Sequence, residues 1–487
     1  MFKQLRRWFT GADADSDPLE PSAQLAATIP LNASRSPDEA RKHGMLLREH
    51  VRGRAGLRRS PEKDSFDDSL LEYRALFQHR HALRPAFEKL AGKRVLFVGQ
   101  SYYNGWYLSR ALRHRGWLAE LFNWESNPAA QIYYHGEDYR ITADGDDEKT
   151  QAMAFFLRAI YDYDIYHFGN AHGICFGFVL QSELAKRFGM HQEIHLLKDL
   201  GKKITYTNNG CLDGVSQTSF ASWGTEPVCA ICRWRDEPIV CSDARNLQWG
   251  RFRNTVVDFQ CLLGGNRADF NDAPTVHEVP EVYCLSPDVW RPDLEVPPAL
   301  KLPPLPAGGV RLYHGVGQRD ERTDPNGVTI KSTHIYRPLV ARLQEAGHHL
   351  ELMEPTLVPN LEVRFLQVQA DIFLDMLTYG WFGATAREGM MLGKPVVGYV
   401  RPEWLESLRQ EIPAYAAELP IVNATPDTIE QVLTDLITNP EKRREIGERS
   451  RAFAMKWHSD SAGAQRFDQI YSRLLEGDLQ LRRTSKR

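Results

Sequence analysis

The chain has 487 residues, of which 42% are hydrophobic and 25% charged, the balance of an ordinary soluble globular protein. Its 60 Lys+Arg against 63 Asp+Glu leave a net charge of -3, so there is no global basic excess to argue for nucleic acid as the main partner. The length predicts about two to four domains, and no apolar run reaches the roughly 18 residues that a membrane span needs.

The opening "MFKQLRRWFTGADADSD" turns acidic before an apolar core develops, so it does not read as a secretory signal. Phe2, Leu5, Trp8 and Phe9 beside Lys3, Arg6 and Arg7 offer a short amphipathic anchor. The alternative is a frayed tail, and residues 1–35 read as loosely attached. Arg41 to Lys63 carries eight Lys/Arg against two Asp/Glu. It reads as a solvated helical face or as a surface for an acidic membrane leaflet. Residues 1–60 are therefore expected to be a basic extension.

"RVLFVG" is a buried-strand pattern, "GWYLSRALRHRG" a helical one and "LAELFN" the next strand. Strand-like "YDIYHFGN" and "KKITYTNNG" follow, with helical "HLLKDLG" between them. Such alternation predicts a parallel sheet covered on both faces, within a domain over 61–286. Seven prolines in the 20 residues from Pro287 to Pro306 suit neither a helix interior nor a central strand, so 287–309 is expected to be a linker. Alternation then restarts: "VRLYHG", "IYRPLVARLQEAG", "HLELME", "VRFLQVQAD", "IFLDML" and "VVGYV" predict a second α/β domain over 310–465. A helix pair broken at Asn439-Pro440 comes late in this domain. Two such halves make a cleft, with ligands at the carboxyl ends of strands.

The cysteine count is seven, an odd number that fits a reducing cytoplasm. Cys229 and Cys232 form a CxxC, with Cys241 after it and Cys211 18 residues before Cys229. The four thiols offer a structural zinc site. The alternative is a turn carrying buried thiols, and no strand-CxxC-helix context supports a redox pair.

"TYGWFGATAREGMMLGKPVVGYV" (Thr378 to Val400) carries the sharpest signal. A tight loop holding Gly380, Trp381, Phe382 and Gly383 leads from a strand into a helix that begins near Ala384. Amides at Phe382, Gly383 and Ala384 would face the cleft and favour an anion such as a diphosphate. Glu388, one turn in, would accept hydrogen bonds from the vicinal hydroxyls of a ribose.

This stretch resembles the donor-binding segment of GT-B glycosyltransferases, in particular the large retaining family four, whose motif reads Glu-Gly-Phe-Gly followed by Glu-Ala-Met-Ala-x-Gly-Lys-Pro-Val-Val. Glu388 matches its second Glu, while the first falls at Gly380 and is missing. The resemblance implies an α/β fold of two Rossmann-like domains facing across a cleft. It extends weakly from Lys93 to Leu475, with the final helix and tail, 466–487, crossing back to the first domain. It implies catalytic roles for Lys331 and an arginine, Arg322 being preferred to Arg319, that grip the leaving diphosphate. Asp375 stands in for the missing carboxylate, with turn capping as its alternative role. On the acceptor side Gly99 and Gly105 would admit substrate, and Tyr102 and Asn104 would bond sugar hydroxyls. His167 or His172 would act near the acceptor or serve the fold. Asn208-Asn209-Gly210 replaces the family's Tyr-His-Gly.

The expected reaction moves a sugar, with retention and no catalytic metal, from a UDP- or GDP-sugar to a glycan or lipid-linked acceptor. The setting would be cytoplasmic or peripheral at a bacterial membrane's inner face, in surface polysaccharide or glycoconjugate synthesis. The competing readings are a nucleotide-sugar epimerase of the same fold and a non-catalytic nucleotide-sugar scaffold. A dehydrogenase is weakly supported, because "GQSYYNG" lacks Gly-x-Gly-x-x-Gly spacing.

Overall fold

The computed structural model describes residues 36–481 except 100–101, 126, 170–172, 209–210, 212, 222, 226–227, 233, 264–266, 281–282, 318, 320–322 and 325–326. The expectations placed on residues 1–35, His172, Asn209, Gly210 and Arg322 thus lie outside the described residues. In chain order the main elements are α1 (Pro37–Arg54), α2 (Phe66–Leu90), β1 (Arg94–Val98), α3 (Asn104–Arg113), β2 (Leu118–Asn123), β3 (Tyr139–Arg140), α4 (Asp146–Asp162) and β4 (Ile165–Phe168). Next come α5 (Phe178–Phe188), α6 (Gln192–Asp199), β5 (Lys203–Thr207), α7 (Asp243–Val256), β6 (Phe259–Leu262) and β7 (Val276–Glu278). The remainder are β8 (Val310–Tyr313), α8 (Thr333–Glu345), β9 (Leu350–Met353), α9 (Asn360–Gln367), β10 (Ile372–Leu374), α10 (Ala384–Met391), β11 (Val396–Gly398), α11 (Pro402–Glu411), β12 (Val422–Asn423), α12 (Ile429–Thr438), α13 (Pro440–Trp457) and α14 (Asp460–Glu476).

Two compact units emerge. Within the described residues one comprises 36–94, 143–165 and 178–203, and the other 95–142, 166–177 and 204–481. The first is helical, with α1, α2, α4, α5 and α6 packed together. Ser65 starts α2 through a capping box with Asp68, which satisfies two backbone donors at its amino end. Gly44 lets α1 lie close on α4, since a Cβ there would sit 2.6 Å from the carbonyl oxygen of Tyr161. The basic stretch is only partly a solvated face. Arg52 is buried between Asp64 and Glu72, and Arg48 Nε lies 2.9 Å from Glu72 Oε1.

The second unit carries the two sheets. The first has strand order β3-β2-β1-β4-β5-β6-β7 and the second β12-β11-β10-β8-β9. The second sheet is parallel throughout, as are the β2–β3, β5–β6 and β6–β7 pairs of the first. β1 and β4 are buried along their whole length, which is why their sequences are continuous apolar runs rather than alternating ones. The proline-rich stretch joins β7 of the first sheet to β8 of the second. α14 packs on α3, where Trp117 Nε1 donates to Asp468 Oδ1 at 2.8 Å. The order reverses direction at β1/β4 in one sheet and at β8/β10 in the other. Ligands gather at such reversals, beyond the carboxyl ends of the strands.

Candidate active site

A cleft of about 1230 Å³ opens at these reversals. Its walls include Tyr102 and Asn104 after β1, Lys331 before α8, and Trp381, Gly383, Ala384 and Glu388 after β10. It brings these sequence-predicted residues together.

Glu388 is 3% exposed, and its carboxylate is held by three neutral donors. Tyr103 donates to Oε1 at 2.6 Å, Asn360 Nδ2 to Oε1 at 3.4 Å and Gln367 Nε2 to Oε2 at 2.6 Å. Glu388 also lines the cleft, and a carboxylate offers about four lone-pair positions against these three donors. Behind it, His135 Nε2 lies 2.6 Å from Asn360 Oδ1 and Nδ1 lies 2.7 Å from the Tyr107 hydroxyl. The geometry suits a neutral imidazole that donates to Asn360 and accepts from Tyr107. Burial pushes the His135 pKa down to about 4, which keeps the ring in that form. Tyr103 packs against both His135 and Trp290, with ring centroids 4.7 and 4.8 Å away, and these contacts hold its hydroxyl on Glu388. Burial, and then the Glu388 charge, raise the Tyr103 pKa well above 10.0, so it remains a donor.

Lys331 Nζ lies 3.5 Å from Asp375 Oδ1, while Asp375 Oδ2 accepts from the amide of Gly383 at 2.8 Å. Asp375 therefore braces the loop and holds the cation instead of standing free as a replacement for the missing Glu. The Gly383 amide, expected to face a ligand, is already used. Ser332 occupies the left-handed region at φ 65, and its Oγ accepts from Leu377 N at 2.9 Å. Thr333 Oγ1 contacts His314 Nε2 at 2.8 Å, and His314 Nδ1 donates to the Leu374 carbonyl at 3.0 Å. β8, β10 and α8 are pinned together around the lysine in this way. Arg319 lines the cleft, and its Nη2 lies 3.5 Å from Glu354 Oε1.

Several expected residues serve packing. A Cβ on Gly105 would meet Leu121 Cδ1 at 3.2 Å, so this glycine seats α3 on the sheet. Gly99 and Gly380 have φ of 80 and 77 and are turn glycines off the cleft wall. Phe382 is buried against Trp404. His167 is buried, with its ring nitrogens on Thr205, Thr207 and Tyr471, and burial pushes it down to about 3. It is a structural histidine.

The four cysteines come near one another without forming a ligand shell. Among the described residues, no three His, Cys, Asp or Glu side chains are disposed to hold a metal ion. Cys241 Sγ instead takes Gln217 Nε2 at 3.2 Å, and Cys229 Sγ points to the Gln217 carbonyl at 3.9 Å. Burial, then the neighbouring Cys241 and Cys232, push the Cys229 thiol up to about 11, so it stays protonated at neutral pH. Cys211 is exposed, and Cys229, Cys232 and Cys241 are half-buried.

The sequence reading missed Tyr103, Gln367 and Asn360, which orient Glu388, and it missed Arg387. Tyr103 stood in the quoted glycine loop beside Tyr102, whereas nothing local to Asn360 or Gln367 pointed to the site.

No family model and no curated protein matches the sequence. Solved structures resemble it at a distance. Sucrose-phosphate synthase (tll1590) from Thermosynechococcus elongatus is 13% identical with a TM-score of 0.46, over 79% of this chain and 100% of that one. Anabaena Alr3699/HepE in complex with UDP-glucose is 12% identical with a TM-score of 0.45, over 78% and 99%. The wall teichoic acid polymerase TagF is 10% identical with a TM-score of 0.39, over 84% and 98%. Likenesses this distant assign neither an activity nor a substrate.

Proposed function

We propose that this chain is a glycosyltransferase that moves a sugar from a nucleotide-sugar donor to a glycan or lipid-linked acceptor. The observation that carries the reading is the Glu388 carboxylate. It is buried, oriented by Tyr103, Asn360 and Gln367, and set on the cleft wall one turn into α10. Three neutral donors hold it aimed, as an acceptor for a ribose hydroxyl requires. The amino end of α10 and Lys331 then lie where a diphosphate would leave, and a fixed cation there stabilises the charge that grows on the leaving group. Tyr102 and Asn104, also on the cleft wall, supply polar groups for the acceptor. The reading includes retention of configuration, with the departing phosphate taking the acceptor's proton, and no obligatory protein nucleophile or catalytic metal. A UDP- or GDP-sugar is the expected donor, in surface polysaccharide or glycoconjugate synthesis at the inner face of a membrane.

The test is thermal stabilisation of the chain by UDP-, GDP-, dTDP- and CMP-sugars, with Glu388→Gln beside it. A ligand at 100 times its Kd adds about 2.7 kcal/mol. One nucleotide class should stabilise the wild type, and the variant should lose most of the shift because the charged acceptor is gone. No shift with any donor would refute the reading.

A further inference from the structure

Among the described residues, Lys331 and Arg319 on the cleft wall each face a carboxylate at 3.5 Å. Arg387 does not. Its side chain is 4% exposed, it lines the cleft, and its Nη1 has no hydrogen-bond partner among the described residues. Glu388 beside it takes its hydrogen bonds from Tyr103, Asn360 and Gln367 instead. A buried guanidinium N–H without a hydrogen-bond partner is costly and is retained where a ligand completes the site.

We propose that Arg387 binds the diphosphate of the nucleotide sugar, completing a leaving-group site with Lys331 and the amino end of α10. This rests on the donor-pocket reading above. The placement follows from helix geometry. A helical side chain leans toward the amino end and over the residue four positions back, which for Arg387 is Gly383. Gly383 has no side chain to block it, and a Cβ there would lie 3.1 Å from Lys331 Nζ. Arg387 and Lys331 therefore approach the same helix end. Glu388 is turned about 100° around the axis, at 3.6 residues per turn, so adjacent residues divide the work between phosphate and ribose. The guanidinium is centred 3.9 Å from the middle of the Tyr283 ring. That cation–π contact anchors the side chain beside the cleft, and a guanidinium can grip two oxygens of one phosphate.

Isothermal titration of the wild type, Arg387→Met and Arg387→Lys with uridine, UMP and UDP, and with the guanosine series, tests this. In the wild type one series should bind, with the diphosphate tighter than its nucleoside. In Arg387→Met that advantage should fall by about 10- to 100-fold, the worth of hydrogen bonds to a charged group, while the nucleoside binds as before. Arg387→Lys should recover part of it. If the Met variant does not fold, the Lys variant still reads the ratio through loss of the fork. A diphosphate-to-nucleoside ratio unchanged in the variants would overturn the role of Arg387 and leave the donor pocket standing. A wild type that binds neither these series nor the thymidine and cytidine ones would overturn both.

Discussion

At the scale of single residues, the site is a set of charges held by neighbours chosen for geometry. Asp375 holds Lys331 and also accepts from the Gly383 amide, so one carboxylate fixes both the cation and the loop that leads into α10. A cation placed in advance acts on the charge that develops in the transition state more than on the ground state. Lys331→Ala should therefore lower kcat by about 100-fold, the scale of removing one preorganised charge-stabilising group, with a smaller change in KM. Steady-state kinetics on the donor found by stabilisation would show this, and full activity would remove Lys331 from the site. For Asp375 the sequence offered loop capping only as the alternative role, since the amide it takes lies eight residues along the chain. Arg387 was hidden, since a helical arginine normally points to solvent and only its burial marks it out.

At the scale of elements, the strands were legible because buried parallel strands write themselves as short apolar runs, as in "RVLFVG" and "VRLYHG". The helices of the first unit were less so. α2 runs through Pro85 and many charged residues, and its stability comes from packing and from its capping box. Glycines were ambiguous for a physical reason. Gly105 and Gly383 look alike in sequence, yet one seats a helix on a sheet and the other opens a helix end. Gly389 belongs to the packing class. A Cβ there would meet the Phe373 ring at 2.6 Å, so the aromatic ring on β10 fills the space that a methyl would take. Gly389→Ala should destabilise the fold by about 1–3 kcal/mol through overpacking, despite the better helix propensity of Ala. Phe373→Leu in the same chain should recover part of the loss. Gly53→Ala on α1, where a Cβ meets nothing within 4 Å, should instead stabilise by about 0.4–1 kcal/mol. Chemical denaturation of the variants distinguishes these, and equal effects at both glycines would contradict the packing account.

At the scale of the whole molecule, the two compact units carry different pH sensitivities. In the unit with the sheets, burial lowers His135 and His314 to about 4 and His167 to about 3, from an ordinary 6.5. The unfolded chain takes up these protons first as pH falls. The stability they contribute is therefore complete above about pH 6.5 and is lost toward pH 4. Asp460, raised by burial, opposes this just above its ordinary 3.8, but it is one group against several. In the helical unit the groups pull in opposite directions: burial raises Glu193 and Glu148 and lowers His191, His50 and His79. Burial raises Glu193 from 4.5 to about 7, which favours the folded state as pH falls through that range. Burial lowers His191 from 6.5 to about 4, which favours unfolding over much the same range. Between pH 7.5 and 5 the calorimetric transition of the sheet-bearing unit should therefore fall more than that of the helical unit. Each neutral buried histidine is worth up to about 1.4 kcal/mol per pH unit below 6.5. His314→Gln keeps a donor for the Leu374 carbonyl and an acceptor for Thr333 but cannot titrate, so it should reduce the fall. A sheet-unit midpoint that is unchanged or higher at pH 5 would mean that these histidines are hydrated and charged, and that β8, β10 and α8 are not pinned around Lys331 through a neutral His314.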